Sequence, residues 1–137
     1  MKRDIWGVFH DGVLKRIEGV IPGNLRLEVE IEYLRRMFDE PGSSFHIELI
    51  DCSKFVYSEY DQEPTSDVRQ IQEREPEILY LTSEQPLLLD CAAGSLELDY
   101  DDMRVVLPSG AEVSYEGLAA ACERYWNDWS ARSKGDA

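Results

Sequence analysis

Apolar and polar residues alternate most regularly in LRLEVEIEY, residues 25–33. There Leu25, Leu27, Val29, Ile31 and Tyr33 interleave with Arg26, Glu28, Glu30 and Glu32. A period of two held this long predicts a strand with one buried and one wet face. FHIELI repeats it, with Phe45, Ile47 and Leu49 inward and His46 and Glu48 outward. DCSK interrupts the pattern as a turn or bulge, and FVYSEY resumes it. EILYL, PLLLDCA, LELDY, MRVVL and AEVS read as further strands, separated by turns at Gly94 and at PSG.

Punctuation between the runs sets the connections. Asp11-Gly12 between apolar flanks predicts a two-residue hairpin joining IWGVFH to VLKRIEG. In that register Trp6 faces Ile17, Val8 faces Lys15, and His10 lies at the tip. Pro22-Gly23 predicts a type II turn. YLRRMF supplies a helical turn before the DEPGSS loop. SDVRQIQERE predicts a short surface helix, with Ser66 as N-cap, Asp67 favourable at the positive end, and Pro76 as its stop.

The clearest helix comes last. Ser114 is its expected cap, and Leu118, Ala121, Cys122, Tyr125 and Trp129 recur at spacings of three and four, with Trp126 on the flank. This stripe predicts burial of Leu118, Cys122, Tyr125 and Trp129, with Glu123 and Asp128 turned to water. On that reading Trp129→Ala costs about 3–5 kcal/mol, and Ser114→Ala about 0.5–2 kcal/mol.

These elements predict an α+β fold of about seven to nine antiparallel strands, because hairpin-length connections exclude most parallel crossovers. The sheet is expected to curve, open or barrel-like, with a short middle helix and the C-terminal helix closing one face or plugging one end. Residues 1–137 read as a single domain, with 130–137 a frayed polar tail.

Composition narrows the function classes. Hydrophobic residues make up 43% and charged residues 31%, which places the chain among globular rather than disordered sequences. No apolar run approaches the roughly 20 residues that span a bilayer. MKRDIWGVFHDG lacks the apolar region of a secretory signal, so a cytoplasmic location is expected. The formal charge of −14 disfavours nucleic acid and anionic membranes as partners and permits a basic protein.

Candidate chemistry is sparse. Cys52, Cys91 and Cys122 are scattered, without the clustering that zinc requires, and read as packed thiols. His10-Asp11 invites a catalytic dyad, but neighbours on a strand point to opposite faces, and Asp11 is explained by the turn. His46 with Cys52 spans too much strand for a nucleophilic pair. Asp99, Asp101 and Asp102 lack the glycine and terminal glutamate of a calcium loop. No catalytic, cofactor-binding or metal-ligating residue is therefore assigned.

What remains is outward carboxylate on the strands: Glu28, Glu30, Glu32, Glu48, Glu97 and Asp99, with Arg26 and Arg104 as possible offsets. Like charges directly opposite destabilise a sheet, so Glu28, Glu30 and Glu32 are not expected beside Glu97 and Asp99. The leading expectation is a non-enzymatic binding protein that engages a basic partner through this acidic face. An immunity-type inhibitor of a basic toxin is one such case, by analogy of size and charge. The alternative is a small-ligand protein or enzyme with an aromatic-lined pocket. A subunit that meets a copy of itself is a third. The order His10-Asp11-Gly12, Pro22-Gly23, LRLEVEIEYL and Tyr125-Trp126-x-x-Trp129 resembles small bacterial proteins without assigned activity. That resemblance implies a standalone cytoplasmic bacterial protein and carries no site with it.

Overall fold

The computed structural model describes residues 1–135, with side chains through Arg132. An N-terminal 3-10 helix (Arg3–Phe9) leads into β1 (Val13–Gly19) and β2 (Gly23–Glu30). Helix α1 (Glu32–Arg35), β3 (Ser44–Cys52), β4 (Lys54–Glu59) and α2 (Val68–Arg74) follow. The chain continues through β5 (Ile78–Glu84), β6 (Leu87–Cys91), β7 (Gly94–Asp99), β8 (Asp102–Val106) and β9 (Glu112–Val113) to α3 (Tyr115–Gly135). One sheet has the order β1-β2-β3-β8-β9 and the other β4-β7-β6-β5. All ladders are antiparallel, and neither sheet closes into a barrel.

The alternation in β2 and β3 does what period two requires. Leu25, Leu27, Val29, Phe45, Ile47 and Leu49 are buried in one core with Leu87, Leu89, Leu96 and Leu98 of the second sheet. The DCSK interruption is the crossing between sheets. Asp51 turns with φ of 50°, and Ser53 N–H donates to the Asp99 carbonyl, so β3 ends in one sheet and β4 starts in the other.

The N-terminal hairpin does not form. Residues before Asp11 are helical, and β1 pairs with β2, placing Ile17 against Leu27 rather than Trp6. Ile5, Trp6 and Phe9 are all buried, and a separation of three to four residues suits one helical face better than a strand. Asp11 does take positive φ, but its turn docks on β5: Asp11 N–H donates to the Ile78 carbonyl, and Ile78 N–H to the Gly12 carbonyl.

Other boundaries shift. Gly23 has a φ of 149° and already pairs in β2, so the turn at Pro22-Gly23 is not type II. β2 ends at Glu30, and Glu32 and Tyr33 belong to α1. Asp67, not Ser66, caps α2, accepting from Arg69 N–H and Gln70 N–H. Ile71 ties that helix to the core. The β6–β7 turn is Ala92-Ala93, while Gly94 opens β7 beneath Ser58, with whose carbonyl a Cβ would collide. Helix α3 continues through Gly135, so residues 130–135 are helical rather than frayed, and 136–137 lie outside the described residues.

Helix α3 packs against the N-terminal 3-10 helix and α1 rather than across a sheet face or into a barrel end. Ser114 Oγ accepts from Gly117 N–H at 3.0 Å, as an N-cap should. Ser114→Ala should cost about 0.5–2 kcal/mol in a urea melt, and Ser114→Asp should restore most of the loss.

Candidate functional site

The strand carboxylates do not form one acidic face. Glu28, Glu30 and Glu48 lie on the first sheet, Glu97 and Asp99 on the second, and Glu32 opens α1. Register then interleaves them with cations. Glu48 sits opposite Arg26 of β2 and Arg104 of β8, and Arg104 reaches it at 2.9 Å. Glu28 lies between Arg16 and His46, while Arg26 Nε donates to His46 Nδ1 at 3.0 Å. Lys54 pairs with Glu97 at 2.9 Å, Arg3 with Asp99 at 2.6 Å, and Arg36 with Glu32 at 3.6 Å. Exposed pairs of this kind are each worth about 0–1 kcal/mol, so they shape surface potential more than stability.

The other candidates resolve locally. His10 and Asp11 do approach, contrary to the strand argument. His10 caps the 3-10 helix and Asp11 is left-handed, which brings Nε2 within 3.5 Å of Oδ1. His10 Nδ1 hydrogen-bonds the Leu79 carbonyl, so the ring anchors the turn to β5. Cys52 and Cys91 are buried, and desolvation pushes the Cys91 thiol from 9.0 up to about 12. Asp99 is taken by Arg3, and Asp102 by the N-terminal amine at 3.0 Å. Among the described residues no three His, Cys, Asp or Glu side chains are placed to hold a metal ion. No helix among them is long and apolar enough to cross a membrane.

The feature that strand-by-strand reading missed is aromatic. Helix α3 is about 30 Å long at 1.5 Å per residue. Among its described side chains only Leu118 and Ala121 are fully buried; Cys122 and Tyr125 are half-buried. Past them the helix overhangs α1, and Trp126 and Trp129 are 42% and 50% exposed. The expected burial of Trp129 is thus wrong: α1 is a single helical turn and offers too little surface to cover the end of the stripe.

Tyr33 of α1 completes the face. Its hydroxyl donates to the His10 carbonyl at 2.6 Å, and its ring centre lies 4.5 Å from that of Tyr125. Burial, then Cys122 and Asp11, hold its phenol well above the ordinary tyrosine range, so the hydroxyl remains a donor. Tyr125 meets Trp126 edge-on at 5.1 Å, and Trp126 meets Trp129 edge-on at 6.0 Å. The tilted and edge-on rings follow one another as a wall. The trough beside it, about 710 Å³ and open to solvent, is lined by Tyr33, Arg36, Met37, Tyr125, Asp128 and Arg132. A second trough shares Tyr33 and Arg36 and is bordered by Asp11, Glu30 and Glu32. On the far side of Trp126 lie His10 and Tyr80, with Tyr80 60% exposed.

Geometry therefore brings two of the six predicted carboxylates, Glu30 and Glu32, to the edge of the aromatic face and leaves the other four elsewhere. No protein-family model, curated protein or solved structure matches this chain.

Proposed function

We propose that this chain is a non-catalytic binding protein whose partner is a basic protein, as an immunity-type inhibitor of a basic toxin would be. The observation that carries the reading is the surplus of carboxylate: 28 Asp and Glu against 14 Lys and Arg. Pairing with Arg3, Arg36, Lys54 and Arg104 offsets Asp99, Glu32, Glu97 and Glu48, yet the molecule as a whole stays strongly negative. Such a field accelerates encounter with a cationic surface and slows encounter with an anionic one.

The test is capture by the immobilised protein from lysate at low and at high salt, with the retained proteins identified. Basic proteins should be retained at low salt and released as screening shortens the reach of the field. Retention of acidic proteins alone, or of nothing, overturns the reading. Reversing Glu28, Glu30 and Glu32 to lysine together should weaken capture.

A further inference from the structure

We infer that the aromatic face of α3 and α1 is the docking surface for a protein segment carrying arginine or lysine among apolar side chains. This rests on the reading above that the partner is basic, and it assigns that partner a place. Exposed tryptophans on successive turns, packed edge-on or tilted against tyrosine, have the composition of a binding hot spot. Trp126, Trp129, Tyr33 and Tyr125 form one continuous wall. Aromatic rings supply large contact area at low entropic cost, and their faces attract cations.

Charge selects the occupant. The smaller trough carries the carboxylates of Asp11, Glu30 and Glu32 against the single guanidinium of Arg36, already directed at Glu32, while the larger sets Asp128 against Arg36 and Arg132, so that the two together hold four carboxylates to two guanidiniums. A cationic segment complements that balance, with its apolar side chains on the rings and its charges on the rim. A second copy of the chain would bring a net charge of −14 to this surface, and an anionic bilayer would be repelled as well.

The probe is a synthetic helical peptide with arginine and leucine at helical spacing. Its controls have glutamate in place of arginine, or serine in place of leucine. Anisotropy of the labelled peptide reads affinity, and tryptophan emission reads the site, since Trp6 is buried and only Trp126 and Trp129 can respond. The arginine–leucine peptide should bind and shift the emission to the blue, and the controls should bind at least about tenfold more weakly. The Trp126→Ala/Trp129→Ala double variant should lose about tenfold or more in affinity, as should Glu30→Lys/Glu32→Lys, while both still unfold in one cooperative transition above the temperature of the binding assay. Glu97→Lys on the other sheet should change little.

Undiminished binding in the tryptophan variant, combined with loss in Glu97→Lys, overturns the docking surface and leaves the basic-partner reading standing. Failure of every arginine peptide to bind overturns both. Equal binding of the glutamate peptide overturns the charge argument. Self-association abolished by the tryptophan variant would assign the face to a second copy, and an emission shift on vesicles of anionic lipid without one on the peptide would assign it to a membrane. Each of these also overturns the inference.

Discussion

Replacing Arg35 with leucine should destabilise the protein by about 3–5 kcal/mol, the cost of breaking a buried charged hydrogen-bond set by removing one side. Arg35 is fully buried, at 0% exposure, and its guanidinium is the organising group of the loop between α1 and β3. Its Nε donates to the Ser44 carbonyl at 2.9 Å, one terminal nitrogen to Glu40 at 2.6 Å, and the other to Pro41 at 2.9 Å. Leucine would fill part of the volume and leave those carbonyls without donors. Lysine keeps the charge but not the planar fork, so Arg35→Lys should fall well short of wild type. Gly42 packs against the same guanidinium: a Cβ there would lie 2.8 Å from Nη2, with φ of 145° already unfavourable for a side chain.

Urea melts of Arg35→Leu and Arg35→Lys read these losses. Glu40→Gln should melt close to wild type, because its carboxylate is 3.5 Å from Arg35 and the backbone carbonyls hold the shorter bonds. The Glu40 carboxyl is held below its ordinary 4.5, first by its hydrogen bond with Ser109 and also by Arg35. A lowered folded value means its contribution is present above the unfolded pKa and is lost as pH falls through the folded one. Glu40→Gln should therefore flatten part of the acid limb of stability against pH.

Trp6 is the tryptophan on which folding depends. Trp6→Ala should cost about 3–5 kcal/mol, the usual penalty for emptying a large aromatic site. Its side chain is 1% exposed, packs edge-on against Phe9 at 5.7 Å, and donates from Nε1 to the buried Tyr100 hydroxyl at 2.9 Å. The truncation both opens a cavity and removes the partner of a buried oxygen, whose own proton goes to Met103 Sδ at 3.1 Å. Trp129→Ala should cost about 1 kcal/mol or less, since its ring is half in water and its main contact is an edge-on aromatic pair. The same denaturant melts decide both. A large loss at Trp129 with little at Trp6 would reverse this assignment of core and surface.

Period two was sufficient for the inner faces of β2 and β3, though not for the division into two sheets. In β2 and β3 a one-residue slip would expose Leu25, Leu27, Val29, Phe45, Ile47 and Leu49 together, so burial allows only one phase. The α3 cap was equally legible, because Ser114 and Gly117 interact within one turn. IWGVFH, residues 5–10, was misread as a strand because local turn chemistry at Asp11-Gly12 is the same whether a strand or a helix precedes it. What distinguishes the cases is Ile5, Trp6 and Phe9 packing against strands distant in sequence.

The candidate surface divides along the same line. Local sequence determined the antiparallel strands, their inner faces, the existence of the C-terminal helix and the surplus of negative charge, each the product of residue type and spacing. Tertiary structure alone decided which carboxylates meet cations, because Arg104–Glu48 and Arg3–Asp99 are juxtaposed by strand order and chain crossing. It also decided that Tyr125 and Trp129, on one helical stripe with Leu118, do not share its fate. A stripe says which side chains point the same way; how far along the helix a neighbour extends to cover them depends on α1, eighty residues earlier in the chain and one turn long.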